Sequence, residues 1–437
     1  VFDFPPADLT LPLLALYFHH TNTIFPLLHA PTFYAQFRDG LHLRDAQFAG
    51  VVWMLLAIAS RWSDDRRVLW DGWVHGNRLH SLPLSLIEKL LLDGPSFTVS
   101  SLDPPSLFDL QFCSLGAMFL RGSSIGPAGW VIIGTGLRKA MDVGAHRKKV
   151  YSPKPSVENE LWKRAFWMLV LFDRIGAASL GRPCCVREED FDLDLPLEVD
   201  DEYWIPNDPS QPAFKQPPGK PSMVSGFVSM LKLTQIMAHA LRTIYCIDKS
   251  KVLLGLVSDD WQEQIVSQLN TVLDEWVESV PEHLRLSNGI ENDVFSNQSA
   301  TLYTSYYLAL ILIYRPFSHA SALLPEPQQD APARPNKTFP FPADSICTSA
   351  AHSAVRIIDA QMRRGLSNIP NMVSVAHIAA VTQLMSMHAA QVTASGSRDV
   401  DPSARLRERE KYLQDVEKCI RCLEMAESRW IMARRFL

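Results

Sequence analysis

Apolar residues recur at helical spacing along nearly the whole chain. Leu13, Leu16, Tyr17 and His20 share one face of a helix that opens at Leu9 and is broken by Phe25-Pro26. Pro31 starts a second short helix, at a position where its missing N–H costs nothing. Residues 48–61 are apolar nearly all round, which predicts a buried helix. Residues 70–92 continue a helical pattern interrupted by Pro83, and Asp93-Gly94-Pro95 is a stop. Leu107, Leu110, Cys113, Ala117 and Leu120 make the stripe of the next helix, over 106–121.

The stretch 130–196 organises the rest. Trp130, Ile133, Leu137 and Met141 lie at helical spacing, with Arg138 and Asp142 as an i,i+4 pair on another face. A basic, proline-marked loop follows. A second helix over 157–174 carries Leu161, Ala165, Met168 and Phe172 as its stripe, widened by Trp162, Phe166 and Trp167. That width predicts burial on more than one side. Glu160 and Arg164 stand as another i,i+4 pair. Later helices are predicted over 223–249, 259–279, 299–314, 346–364, 373–393 and 405–436. Residues 197–221, rich in Pro, Asp and Gln, predict a long surface loop, and 325–342 a Pro-rich, flexible break. No strand–helix alternation and no repeat of fixed length is visible, so the expectation is an all-α fold. We expect one large multi-helix domain over 1–437 with long Pro-rich loops.

Composition narrows the function. Hydrophobic residues are 47% of 437 and charged ones 20%, so the chain can bury a large core. With 42 basic against 47 acidic side chains, it lacks the basic excess of a self-sufficient nucleic-acid binder. Seven scattered cysteines read as reduced core thiols of an intracellular protein. Residues 370–396 lack charge but are diluted by polar side chains, so no membrane span is expected. The start, Val1-Phe2-Asp3, has no initiator Met and no targeting pattern, and we expect an excised piece of a longer protein.

Candidate chemistry is thin. Gly122-Ser123-Ser124-Ile125-Gly126 matches the nucleophile-elbow pattern, but that motif needs a strand before the serine, and a turn between helices is expected. Asp190, Asp192 and Asp194 alternate as in a calcium loop, but Leu195-Pro196 replaces the glycine such a loop requires. An extended segment burying Phe191, Leu193 and Leu195 is expected instead. Cys419 and Cys422 form a lone pair where a structural zinc site needs four ligands. No metal and no cofactor is therefore expected in this chain. The cluster Arg147, Lys148, Lys149 and Lys154 reads as a solvated loop, and His146 as a helix-end residue. Asp173-Arg174 inside an apolar helix implies a buried polar network. Arg182, held between Gly181 and Pro183, is a candidate partner for Asp190.

Several of these pieces together resemble the regulatory "middle homology" domain of fungal binuclear zinc-cluster transcription factors, also described as the xylanolytic-activator type. Tyr17-Phe18-His19-His20, Phe25-Pro26, His29 and Pro31-Thr32-Phe33 resemble its opening helix and turn. Gly136-Leu137-Arg138 through Asp142, Gly144 and His146-Arg147 resemble its A-x-x-L-G-x-H-R helix end. Glu160, Arg164, Phe166-Trp167 and Asp173-Arg174 resemble its core motif. Gly181-Arg182-Pro183, Asp190 with Leu195-Pro196, and Arg315-Pro316-Phe317 resemble its later signatures. The resemblance implies a non-enzymatic nuclear regulatory domain answering to a metabolite or a coregulator. The family's six-cysteine zinc cluster is absent from this chain, so zinc and DNA contact are expected only in a segment outside it. If a small molecule binds, the expected place is between the two central helices and the Gly181 loop, near Trp130, Arg138, Trp167, Arg174 and Arg182. A ligand-independent scaffold, for a coregulator or a homodimer, is the alternative.

Overall fold

The computed structural model describes residues 4–68, 104–123, 126, 128–206, 212–256, 258, 260–286, 290–318, 341–365, 369–395 and 402–437. Among them are helices, turns and extended loops, and no strand. The N-terminal helices are α1 (Ala7–Tyr17), α2 (Ala30–Arg38), α3 (Leu41–Arg44) and α4 (Ala46–Ser60). Then come α5 (Leu107–Arg121), α6 (Ala128–Asp142), α7 (Val157–Leu180), α8 (Val224–Thr243), α9 (Asp248–Leu253) and α10 (Trp261–Ser279). The C-terminal set is α11 (Asp293–Tyr314), α12 (Ala343–Arg363), α13 (Ile369–Ser395), α14 (Pro402–Glu427) and α15 (Ile431–Phe436). The helix expected over 70–92, Ser124 and nearly all of 325–342 lie outside the described residues.

Local chemistry sets the helix ends. Asp45 and Ser156 accept backbone N–H groups at the starts of α4 and α7, and Ser106 with Asp109 forms a capping box on α5. Helix α6 ends where Ala145 N–H bonds the Ala140 carbonyl at 2.8 Å, with Gly144 at φ +76°. Gly181, at φ +64°, ends α7 in the same left-handed way. Two long helices expected from periodicity break in the structure. Residues 223–249 split into α8 and α9, and 405–436 into α14 and α15.

The first core surrounds α4 and α7. Helix α4 is buried from Phe48 to Ser60 without a gap, and α7 buries Leu161, Ala165, Met168 and Phe172 as its period requires. A second core joins α12, α13, α14 and α15, through Ala351, Val355, Ile358, Met372, Ala376, Cys419 and Cys422. Helix α11 spans both, contributing Leu302 and Ile313 to the first core and Ile311 to the second. A buried polar knot pins the second core. Asp415, 2% exposed, accepts from Gln383 at 3.0 Å and lies 2.6 Å from His352 Nδ1, so one carboxylate ties three helices. By length and composition the Asn371–Val392 stretch of α13 could cross a membrane. Its Met372, Val375, Ala376 and Ala379 are packed in this core.

The C-terminus is fastened back onto the first core. Trp430 lies against the guanidinium of buried Arg61, 4.6 Å away, and Phe119 covers the same group at 4.3 Å. Ile431 N–H bonds the Gly122 carbonyl at 3.1 Å.

Candidate functional site

Helix α7 positions charged side chains at two levels. At its N-terminal half, Glu160 was expected to pair with Arg164, but the structure separates them. Glu160 accepts from Lys163 at 2.8 Å and from the Leu197 N–H at 3.1 Å. Arg164 donates to Asp201 at 2.8 Å, and its guanidinium lies 4.3 Å from the centre of the Trp204 ring. The His29 imidazole stacks on that same indole at 4.5 Å and 7°. His29 Nδ1 accepts from the Thr32 N–H, which leaves Nε2–H to donate to the Asp201 carbonyl at 3.0 Å. Burial lowers the His29 pKa. Neighbours along a buried helix face are outcompeted by tertiary partners that supply better geometry.

Within the loop expected over 197–221, some side chains are buried. Trp204 is 0% exposed and Asp200 4%. Asp200 accepts from Ser222 Oγ at 3.0 Å and the Met223 N–H at 2.8 Å. Residues 197–206 form a strap anchored by this tryptophan, and their hydrophilic composition hid that anchor.

At the other end of α7, Asp173 accepts the N–H groups of Cys185 at 2.7 Å and Val186 at 3.3 Å. It caps the turn that follows Gly181-Arg182-Pro183. Burial raises its pKa, and the two backbone donors act against that rise. Arg174 donates to the Leu231 carbonyl at 3.2 Å and to Glu188. Asp173 and Arg174 thus link α7 to the turn 185–188 and to α8.

Of the five residues expected near a ligand, Arg174 lies over the Trp167 ring at 6.0 Å. Trp167 is buried and donates its indole N–H to the Asp194 carbonyl at 2.9 Å. Arg138 is exposed, and no ion pair joins it to Asp142. Arg182 lies over the Trp130 ring at 4.9 Å and not with Asp190, whose carboxylate accepts the Arg187 N–H at 2.7 Å. Arg174 is buried and occupied. His146 follows the end of α6, and its carbonyl accepts Asp192 N–H at 3.3 Å. Asp192 pairs with Arg147 and Asp194 with Lys148, so two cations of the basic loop meet the acidic run. Leu193 is buried between exposed Asp192 and Asp194, as an extended segment with one buried face demands.

Of the five, Arg182 borders an open groove of about 1480 Å³. Its walls include the turn 181–188, α8, α9, α10 and α13, and Arg315 also lines it. Ile236, Leu269 and Trp276 line it, and Lys232, His239 and Arg242 stand along α8. Sequence reasoning missed this place, since its walls are separated by up to two hundred positions along the chain. The one local signal was Gly181-Arg182-Pro183, which forms its edge. The described residues hold no group of three or more His, Cys, Asp or Glu placed for a metal.

All-helical architecture, with an open groove between its helices, defines the class: a multi-helix domain. The family profile described as "Fungal specific transcription factor domain" matches residues 14–277, and the chain belongs to that family. It is 26% identical to the transcriptional activator protein acu-15 of Neurospora crassa over 329 residues, 74% of this chain and 32% of that protein. It is 25% identical to an ABC-transporter-regulating transcription factor of Aspergillus oryzae, over 81% of this chain and 38% of that protein. Activator of stress genes 1 of Saccharomyces cerevisiae is 26% identical over 49% of this chain and 21% of its own length. These relatives are transcription regulators, not enzymes, and the chain spans about a third of the length of the first of them. No solved structure gives a significant match.

Proposed function

We propose that this chain is the regulatory domain of a fungal zinc-cluster transcription factor, controlling transcriptional activation in response to a metabolite or a partner protein. In this reading the protein acts in the nucleus. It reaches DNA through a zinc-binding segment outside this chain. The observation that carries the reading is the groove at the seam of the two cores, edged by the Gly181-Arg182-Pro183 turn. A ligand there touches α8 and α10 of the first core and α13 of the second. It can therefore bias their relative arrangement, provided it binds one arrangement better than the other.

The test uses Val272→Arg in the whole transcription factor, on a reporter. Val272 is 44% exposed on the groove wall, so the change projects a long side chain into the groove without opening the core. The expected result is a reporter that no longer follows its inducing signal, with the melting temperature unchanged. An inducible response equal to wild type would remove the reading. Exposed apolar side chains on α13 and α14, Leu384 and Leu413 among them, favour the second reading, a ligand-independent scaffold that dimerises or docks a coregulator. Sedimentation of the chain as a monomer would remove its dimer form.

A further inference from the structure

We infer that the occupant of this groove is an acidic amphipathic helix presented by a partner protein. The inference rests on the regulatory reading above and names what the groove receives.

Three observations point there. The first is size. Small-molecule pockets hold about 300–1,000 Å³ and bury most of their ligand. This groove is larger, at about 1480 Å³, and lies open along one side. A helix about 11 Å across rising 1.5 Å per residue fills roughly 140 Å³ per residue, so the volume matches on the order of ten residues, or about three turns.

The second is the apolar rim. Ile247 is 70% exposed, Leu253 78% and Val381 41%, and all three line the groove. Side chains of this kind on α13 and at α9 offer contacts to residues at i, i+3, i+4 and i+7 of a docked helix.

The third is charge. Five Lys and Arg side chains line the groove against Glu188 and Glu275, in a chain whose formal charge is −5. Glu188 is engaged by Arg174, and Arg242 by Glu189. Arg182, Arg187 and Lys232 make no ion pair among the described residues, and Arg187 and Lys232 are exposed. A partner with carboxylates flanking an apolar stripe complements this surface, and one with lysines is repelled.

The experiment measures fluorescence anisotropy of a labelled helical peptide of about 12 residues. Leu and Phe occupy its i, i+3, i+4 and i+7 positions, and Glu the rest. One control replaces every Glu by Lys. Another keeps the composition and scrambles the apolar stripe. The acidic amphipathic peptide should bind the 437-residue chain, and the two controls should bind at least tenfold more weakly. Arg187→Glu with Lys232→Glu should weaken binding more than tenfold, with an unchanged circular-dichroism melt. Salt at about 1 M should weaken the wild-type complex. Equal binding of the scrambled peptide, or affinity unmoved by these substitutions, overturns the inference. No peptide binding, with Val272→Arg still uncoupling the reporter, sinks the acidic helix and leaves the regulatory groove standing. No peptide binding together with a normally inducible reporter sinks both.

Discussion

Burial makes several histidines harder to protonate. His20 stacks on the Trp62 indole at 4.5 Å and 14°. Burial, helped by neighbouring His19, lowers its pKa from 6.5 to about 4. Burial lowers His29, His239, His283 and His377 as well. In the unfolded chain these imidazoles take a proton near their ordinary value. Between about pH 6.5 and about pH 4 the unfolded state therefore binds more protons than the folded one, and stability falls as pH falls. His20→Gln removes one such site and keeps a planar group against Trp62. The variant should lose less melting temperature than wild type between about pH 7 and about pH 4.5. An identical loss in the two proteins, measured in parallel thermal melts, would contradict this assignment. At the same scale, Arg164 shows where residue spacing misleads. The i,i+4 rule offers Glu160 as its partner, yet Asp201 and Trp204 hold it, from a strap whose composition reads as solvent-facing.

Helices α5, α6 and α7 pack closely through a glycine. A Cβ on Gly136 would lie 2.7 Å from Leu169 Cδ2 and 2.9 Å from Cys113 Cβ. Those neighbours belong to α7 and α5 and are themselves buried. Neither Cys113 Cβ nor the α7 backbone behind Leu169 can yield without moving a helix. Gly136→Ala should thus destabilise the domain by about 1–3 kcal/mol, although alanine is the better helix former. Urea denaturation showing a neutral or stabilising effect would mean that the α6–α7 contact is looser than described. The element scale is also where periodicity was most informative. The stripe of α7 packs as its spacing predicts, and Gly144 and Gly181 end α6 and α7 in the left-handed conformation that glycine adopts freely. The breaks after Thr243 and at Trp430 carried no such punctuation.

For the whole molecule, the question is what holds the second core to the first. Helix α11 runs through both, and the Trp430 clasp closes the far side. Arg61 is 5% exposed and has no carboxylate partner among the described residues, so two aromatic faces and the Phe119 carbonyl at 2.9 Å stabilise its charge. Burial pushes its pKa down to about 9. Trp430→Ala empties the space beside this cation and exposes it. A loss of about 3–5 kcal/mol is expected, with faster proteolytic release of the C-terminal helices than of the rest. Uniform cleavage along the chain would show that the clasp does not hold the two cores together. The groove belongs to this scale too, because α8, α10 and α13 meet there only when both cores are assembled.

Helical class, most helix ends, the buried character of α4 and α7 and the family signatures were settled by the amino-acid order alone. Each depends on residues within about one turn of one another, where spacing and capping act directly. Which partner each buried charge takes, that Trp204 anchors its strap, and that Arg182, Lys232 and Val381 line one groove were decided only by the tertiary structure. Those outcomes depend on distances between segments far apart in the chain. Burial then raises the cost of an unmatched charge, and so selects the partner that spacing alone could not.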